Sequence, residues 1–239
     1  MPTSNEARRR HLAVIPARGG SKRLPRKNVI DFFGQPILGY TLDAARAADC
    51  FDRILVSTED AEIARIAKQL GADVDIRPAA LASDDATVID VCLELLERLE
   101  RQNESYETLS VLYATAPLRT ADDIRATHSL LHRGDCEFAM AAAEFAQPVH
   151  QALRVGADGQ AVPVFAELVG KRASVAGRYF AGNGSTYSVF VDSFQSKRAF
   201  YGQPLQLHVM PPERSVDIDT EDDLELARFY GLRLHQLRR

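Results

Sequence analysis

The chain has 239 residues, of which 46% are hydrophobic and 26% charged, and its formal net charge is -4 at pH 7. These values suit one large globular domain, and the negative charge argues against a general nucleic-acid binder, which usually carries a basic face. No apolar run approaches the ~20 residues of a membrane helix. Cys50, Cys92 and Cys136 form no C-x-x-C pair, so we expect reduced thiols in a cytoplasmic protein.

The predicted elements alternate between strands and helices along the chain. The segment HLAVIPA indicates a short buried strand, and a helix is predicted for residues 36–48 with a proline in its first turn. A second strand at residues 52–58 precedes an amphipathic helix that ends before Gly71. A third amphipathic helix begins near Val88, and residues 108–114 form another buried strand.

Two further helices are predicted by Thr120-x-x-Asp123 and Thr220-x-x-Asp223, which resemble capping boxes with Asp in place of the usual Glu. The alternation predicts an α/β fold: an open, mostly parallel, Rossmann-like sheet flanked by helices, in a single domain spanning residues 1–239. Residues from about 145 to 180 break the alternation. We interpret them as a small excursion from the sheet that provides dimer contacts.

A cation-rich loop follows the first predicted strand. The segment IPARGGSKRLPRKN contains no acid, and its cations are Arg18, Lys22, Arg23, Arg26 and Lys27. Two adjacent glycines let backbone N–H groups turn toward an anion, and ligands of open α/β sheets bind beyond the carboxyl ends of the strands. The loop therefore predicts a triphosphate cradle, with a solvated basic loop as the alternative.

Three common motifs are missing from the sequence. It contains no Walker A motif, no G-x-G-x-x-G and no G-x-S-x-G. Their absence disfavours a P-loop ATPase, a dinucleotide-dependent dehydrogenase and a serine hydrolase, respectively.

Two other patterns suggest metal ligands. Asp217 and Asp219 alternate along a predicted strand end, so both carboxylates face one side and offer the hard oxygen ligands that Mg²⁺ prefers. The alternative is a strand end that leads into the helix at Thr220. His128 and His132 lie four residues apart on a predicted helix, but no third ligand is evident, which favours a solvated helix face.

The segment VIPARGGSKRLPRKN resembles the N-terminal signature of the acylneuraminate cytidylyltransferases, which make CMP-activated nonulosonic acids. Similar segments follow in the family's order: FDRILVSTED, RPAALASDDA, LYATAPLRTADDI, NGSTY and SVDIDTEDDLELA. The resemblance implies that CTP and a nine-carbon 2-keto sugar acid react to give a CMP-sugar and pyrophosphate. It also implies Mg²⁺ (or Mn²⁺) as the cofactor and a homodimer as the assembly.

The resemblance further implies residue roles on the nucleotide side. Arg18, Lys22 and Asp219 are expected to be catalytic, and Asp217 and Asp219 to bind the metal. The implied nucleotide-binding residues are Ala17, Arg18, Gly19, Gly20, Ser21, Lys22, Lys27, Asn28, Arg77, Ala82 and Ser83. On local grounds Ser83, Asp84 and Asp85 also suit the N-cap of the helix that begins near Val88.

The resemblance also implies which residues bind the sugar acid. The expected sugar-binding residues are Tyr113, Thr115, His150, Arg172, Asn183 and Tyr187. Tyr113 within YATAP resembles the pseudaminic acid enzymes, whereas NGSTY resembles the sialic acid enzymes, and Ala181 stands where an Arg often precedes the Asn-Gly pair.

Pseudaminic acid is therefore the favoured substrate. N-acetylneuraminate, legionaminate and deoxy-octulosonate remain as alternatives. A non-catalytic nucleotide sensor is the alternative of a different class.

Overall fold

The computed structural model describes residues 10–83, 86–133, 136–171, 175 and 177–236. The strands are β1 His11–Pro16, β2 Asp31–Phe32, β3 Gln35–Pro36, β4 Arg53–Thr58, β5 Asp73–Ile76, β6 Thr108–Leu112, β7 Phe138–Glu144, β8 Leu153–Val155, β9 Ala161–Pro163, β10 Phe180–Phe190 and β11 Leu205–Val209. The helices are α1 Ile37–Ala48, α2 Ala61–Gln69, α3 Val88–Arg101, α4 Ala121–Ser129, α5 Val191–Lys197 and α6 Glu221–Gln236.

The centre of the fold is a seven-stranded sheet in the order β11-β7-β10-β6-β1-β4-β5. Strand β10 runs antiparallel to both of its neighbours, β6 and β7, and the other pairings in this sheet are parallel. The predicted α/β fold with an open, mostly parallel sheet is confirmed. Because β1 and β6 run in the same direction, the loops after both strands emerge at one edge of the sheet.

Strand β1 is buried on both faces, as expected for a central strand of a sheet covered by helices. Leu12 and Val14 face one core cluster, which includes Leu95 of α3. Ala13 and Ile15 face the other, which includes residues of α1 and α2. The two clusters hold the carboxyl end of β1, and with it the start of the cation-rich loop, in a fixed position.

A third apolar cluster joins the two ends of the chain. Leu24 of the cation-rich loop is buried with Phe32 and Ile37, and the C-terminal part of the chain contributes Val216 and Ile218. Burying large aliphatic side chains stabilises a contact by about 1.5–3 kcal/mol each. This cluster therefore fixes the cation-rich loop against the segment that contains Asp217 and Asp219.

The helix starts follow the capping logic of the sequence. The Thr120 hydroxyl accepts a hydrogen bond from the Asp123 N–H group, and the Asp123 carboxylate accepts one from the Thr120 N–H group. Thr220 and Asp223 form the same box at α6. Both predicted boxes are confirmed.

The start of α3 differs from the sequence prediction. Thr87 is the N-cap and forms a capping box with Asp90, so the prediction of an N-cap at Ser83 is wrong. Ser83 instead follows the short turn Ala79–Ala82. Asp84 and Asp85 lie outside the described residues. The Thr-x-x-Asp spacing of Thr87 and Asp90 was the stronger sequence signal for the helix start. A capping box provides two reciprocal hydrogen bonds, whereas a lone N-cap such as Ser83 provides one.

The described residues between β7 and β10 contribute no strand to the seven-stranded sheet. They contain the antiparallel pair β8–β9, and their exposed apolar side chains include Leu153, Val155, Val162 and Val169. Elsewhere, the three cysteines are free thiols, as expected, and burial raises the pKa of Cys50 to about 11. Among the helices that the structure describes, none is both long and apolar enough to cross a membrane.

Asp123 also links α4 to the sheet edge and to the loop after β11. Arg214 donates two hydrogen bonds of 2.9 Å to its carboxylate, and His208 Nε2 lies 3.0 Å from Oδ1. Burial would raise the pKa of Asp123, but the hydrogen bonds from His208, Arg214 and Thr120 outweigh it and hold the pKa well below its usual range. The ionised carboxylate therefore stabilises the fold.

We predict that Asp123→Asn lowers the free energy of unfolding at pH 7 by about 2–4 kcal/mol, because it removes a buried carboxylate that accepts hydrogen bonds from the partly buried Arg214 guanidinium. A carboxylate whose pKa is lowered in the folded state stabilises the fold fully at pH values above its ordinary, unfolded-state pKa. This contribution is lost as the pH falls from there toward the folded-state pKa. The difference from wild type should therefore shrink between about pH 5 and pH 3 in urea unfolding curves. Exposed Asp122→Asn is the control, with an effect within about 0.5 kcal/mol. A difference that stays constant with pH would contradict the assignment.

Candidate functional site

The cation-rich loop and the acidic segment near the C-terminus meet in one site. Lys27 Nζ lies 2.5 Å from Asp219 Oδ1, and Arg23 Nη2 lies 2.5 Å from Asp219 Oδ2. Lys27 and Asp219 are 192 positions apart in sequence. The cation-rich loop and the acidic segment are therefore in direct contact in the structure.

The acidic segment is irregular, so its predicted position at a strand end is wrong. Val216 and Ile218 are buried, and the two acids alternate with them, so the predicted common face is kept without a strand. The Ile218 N–H group donates to the Thr115 carbonyl over 2.8 Å. Asp223 accepts a hydrogen bond from the Asp219 N–H group over 3.1 Å, which fixes Asp219 at the start of α6.

Asp217 lies deeper in the site than Asp219. Thr115 Oγ1 donates a hydrogen bond of 2.5 Å to its Oδ1 atom. A Cβ atom built on Gly184 would lie 2.3 Å from its Oδ2 atom, and Gly184 has a φ of +69°. The backbone of β10 therefore packs directly against this carboxylate, and a side chain at position 184 would displace it.

The two carboxylates have opposite pKa shifts. Burial is the main reason that the pKa of Asp217 is raised; the nearby charge of Asp219 adds to the shift, and the hydrogen bond from Thr115 opposes it. Burial also acts to raise the pKa of Asp219, but the hydrogen bond and charge of Lys27 and the charge of Arg23 outweigh it, so its pKa is lowered. The two carboxylates thus differ in their surroundings, because Asp219 lies beside two cations and Asp217 is buried.

The turn of the cation-rich loop is built on the glycine pair. The Gly19 N–H group donates to Glu59 Oε1 over 2.8 Å, and a Cβ atom on Gly19 would lie 2.3 Å from Asp60 Oδ2. Gly20 has no atom within 4 Å of its virtual Cβ. The Asn28 side chain donates to the Arg18 carbonyl over 2.9 Å, and the Ser21 N–H group donates to the Gly19 carbonyl. Asn28 thus closes the loop on itself.

Glu59 and Asp60 were not predicted as site residues. They follow β4, the strand beside β1, so they emerge at the same edge of the sheet. Asp60 caps α2 and contacts Arg26, and Glu59 lies 3.4 Å from Arg77. The signal in the sequence was a pair of acids directly after a buried parallel strand.

Four of the predicted nucleotide-binding residues, Ala17, Arg77, Ala82 and Ser83, lie in different surroundings. Ala17 is buried at the end of β1, with its N–H group bonded to the Ser57 carbonyl. Arg77 is buried and donates to the Ser57 carbonyl over 2.5 Å, and burial is the main reason that its pKa is lowered. Ala82 and Ser83 lie on a different, partly exposed turn. Arg77 therefore supports the loop through Glu59, and nucleotide contacts by these four residues stay a prediction.

Two tyrosines extend the site beyond Asp217. The Tyr113 and Tyr187 rings pack edge to face, with centroids 6.0 Å apart. Burial raises the pKa of Tyr187, and the charge of Asp217 adds to the shift. Tyr187 also lines a pocket of about 390 Å³ with Met140, Tyr201 and apolar side chains of β11.

The other predicted sugar residues have different surroundings. Asn183 is buried, and its side chain bonds to Ser185, Ser215 and the Met210 sulfur, so it holds the bend in β10 in place. His150 is buried beside a different cavity of about 310 Å³, which shares no lining residue with the Tyr187 pocket. Arg172 lies outside the described residues. Of the predicted sugar set, the structure thus brings Tyr113, Thr115 and Tyr187 together with Asp217.

The chain matches known proteins over most of its length. The sequence profile of a family described as Cytidylyltransferase matches residues 12–150. A pseudaminic acid cytidylyltransferase from Campylobacter jejuni is 31% identical over 92% of this chain and 95% of that protein. A CMP-N,N'-diacetyllegionaminic acid synthase from Legionella pneumophila is also 31% identical, over 91% of this chain and 94% of that protein.

The fold is shared with a solved structure of low sequence identity. A CMP:2-keto-3-deoxy-manno-octonic acid synthetase complexed with CTP superposes with a TM-score of 0.67 at 18% identity, covering 94% of this chain and 99% of the other. The profile covers more than half of the 239 residues, and the relatives extend over nearly the whole chain. The resemblance read from the sequence is therefore confirmed, and the chain belongs to the cytidylyltransferase family.

Proposed function

We propose that the protein joins CTP to a nonulosonic acid, with pseudaminic acid as the first candidate, and releases pyrophosphate. One observation carries the proposal: Lys27 and Arg23 contact Asp219, so the cations proposed to bind phosphate lie beside the acids proposed to bind the metal. The Campylobacter relative is named as a pseudaminic acid cytidylyltransferase, which supports the choice of substrate.

The cation-rich loop binds the triphosphate in this proposal. It lies at the carboxyl end of β1, where ligands of open α/β sheets bind. Arg18 and Lys22 hold the β- and γ-phosphates and stabilise the charge that develops on the leaving pyrophosphate. Lys27 and Arg23 exchange their contacts with Asp219 for phosphate oxygens when the nucleotide binds.

Asp217 and Asp219 would hold a divalent ion, Mg²⁺ or Mn²⁺. The donor set fits, because carboxylate oxygens are the ligands that these hard cations prefer. The burial of Asp217 and the nearby charge of Asp219, which both raise the pKa of Asp217, support a cation at this pair. Such an ion would neutralise phosphate charge during the transfer. The hydrogen bond from Thr115 and the close backbone of Gly184 hold the Asp217 carboxylate in place for it.

The sugar acid binds beside Asp217, against Tyr113 and Tyr187. The pocket behind Tyr187 is lined by Met140, Tyr201, Leu205 and Leu207, which offer apolar contacts. Pseudaminic acid carries a methyl group and acetamido groups, which suit such a surface better than a chain of hydroxyls does. The anomeric hydroxyl of the sugar attacks the α-phosphorus in line with the leaving pyrophosphate, and no covalent intermediate with the protein forms.

A legionaminic acid is the second candidate substrate. The Legionella relative is as similar in identity as the Campylobacter relative, and it is named as a diacetyllegionaminic acid synthase. The two sugars are stereoisomers, so the apolar character of the pocket favours neither.

We also propose that the protein is a homodimer that works in the cytoplasm. The exposed apolar residues of the β8–β9 excursion support a dimer contact, and the free thiols suit a reducing compartment.

The function is tested by pyrophosphate release from CTP and Mg²⁺ with purified pseudaminic, legionaminic and N-acetylneuraminic acids. We expect the highest kcat/KM with pseudaminic acid and little release when UTP, GTP or ATP replaces CTP. A higher kcat/KM with another nonulosonic acid would contradict pseudaminic acid as the preferred substrate and identify that sugar instead. CTP binding without pyrophosphate release for any sugar would favour a nucleotide sensor and contradict the catalytic proposal.

Asp219→Asn should lower kcat at least about 100-fold with little change in the melting temperature, because it removes the ionised ligand of the acid pair. Asp222→Asn, one turn away on the exposed start of α6, is the matched control and should keep normal turnover. Steady-state kinetics and thermal unfolding of both variants provide the measurement. Near-normal turnover of Asp219→Asn would contradict the assignment.

The two glycines of the cation-rich loop should differ sharply in their tolerance of alanine. Gly19→Ala places a methyl group against Asp60, which also caps α2, so we expect a loss of about 1–2 kcal/mol in stability and a raised KM for CTP. Gly20→Ala meets open space and should leave the stability within about 0.5 kcal/mol of wild type. Urea unfolding and CTP titration distinguish the two variants, and equal effects would contradict this geometry.

A further inference from the structure

Three imidazole side chains come together at the edge of the sheet opposite the candidate active site. His11 begins β1, and the cation-rich loop follows the other end of that strand, roughly 17 Å away at the rise of an extended chain. His128 lies in α4, and His132 ends the short helical turn that continues it. Each histidine offers one ring nitrogen, and the three nitrogens all lie within 4.8 Å of one another.

We propose that His11, His128 and His132 bind one divalent transition-metal ion, for which Zn²⁺ is the first candidate. Imidazole nitrogen is a preferred ligand of Zn²⁺, with bonds of about 2.0–2.1 Å. Tetrahedral bonds of that length separate ligand nitrogens by about 3.4 Å, so small rotations of the rings close the group around an ion. Three protein ligands leave a fourth position for water.

His11 is already oriented in the way that metal-binding histidines are. Its Nδ1 atom lies 2.9 Å from Thr108 Oγ1, and its ring packs edge to face against the rings of His128 and His132. Metal ligands of this type usually donate their second ring N–H group to a neighbouring oxygen, which fixes the tautomer and the ring angle. Thr108 begins β6, directly beside His11 in the sheet, so the contact is part of the β1–β6 pairing.

His128 is the buried member of the group, with 5% of its surface exposed. The prediction of a solvated face for this helix is therefore wrong at His128. Within the part of the chain that the structure describes, its Nδ1 atom has no hydrogen-bond partner. A buried nitrogen without a partner is costly, and a structure that retains one calls for an explanation such as an ion.

The surroundings of the group suit a metal site. Phe51 packs on the His128 ring and Phe190 on the His132 ring, which gives the site apolar walls. His132 is exposed and provides an entry path. A bound ion would tie the start of β1 to the end of α4 and thereby stabilise the fold.

The test uses the full chain, stripped with a chelator and then titrated with Zn²⁺ by calorimetry in excess Mg²⁺, so that carboxylates compete poorly. We expect one Zn²⁺ ion per chain and a melting temperature raised by roughly 5–10 °C at free zinc of about 100 times Kd. Co²⁺ should give the visible absorption of a tetrahedral site. No saturable binding at one ion per chain would overturn the proposal.

The variants separate this site from incidental binding by histidine. His132→Ala removes an exposed ligand without opening the core and should weaken Zn²⁺ binding at least about 100-fold, and Thr108→Val should weaken it about 10–100-fold. His208→Gln is the matched control, because it removes a histidine away from the group and keeps a hydrogen-bond donor for Asp123. Equal affinity of wild type and His132→Ala, or an equal loss in His208→Gln, would overturn the proposal.

Discussion

The burial of Leu24 against Val216 and Ile218 is the contact on which the candidate active site depends. It joins a loop near one end of the chain to a segment near the other, and neither segment is held there by strand pairing. Side chains on either side of this apolar contact, Lys27 and Asp219, then meet at 2.5 Å. The apolar cluster provides the association, and the charges provide the chemistry that it positions.

The charges of the site are balanced before any substrate enters. Asp219 is matched by Lys27 and Arg23, and Arg77 is accompanied by Glu59, which also accepts a hydrogen bond from the loop glycine. Partly buried ions without such partners carry a large desolvation cost. The acids that accompany the loop thus allow many cations to lie together without destabilising the end of β1, and a bound polyanion would take over the same role.

The sequence predicts most of the fold because its signals are local. Alternating buried strands and amphipathic helices indicate the α/β sheet, and Thr-x-x-Asp spacing indicates helix starts at Thr120 and Thr220. The active-site partners required more than spacing. Resemblance to a family connects the loop with Asp217 and Asp219, whereas Glu59 was missed because an acid after a strand has many explanations. His11 was missed as a partner of His128 because only the pairing of β1 with β6 and the packing of α4 bring them together.

The close fit of Gly184 against Asp217 limits how this protein can be redesigned. The stretch around it in β10 also contains Asn183, whose side chain is fully engaged in the interior. Engineering a different sugar preference by randomising that stretch would disturb the acid pair along with the pocket. The exposed positions Ala181, Tyr201 and Leu207 line the proposed sugar pocket, so a library restricted to them leaves Gly184 and Asn183 unchanged.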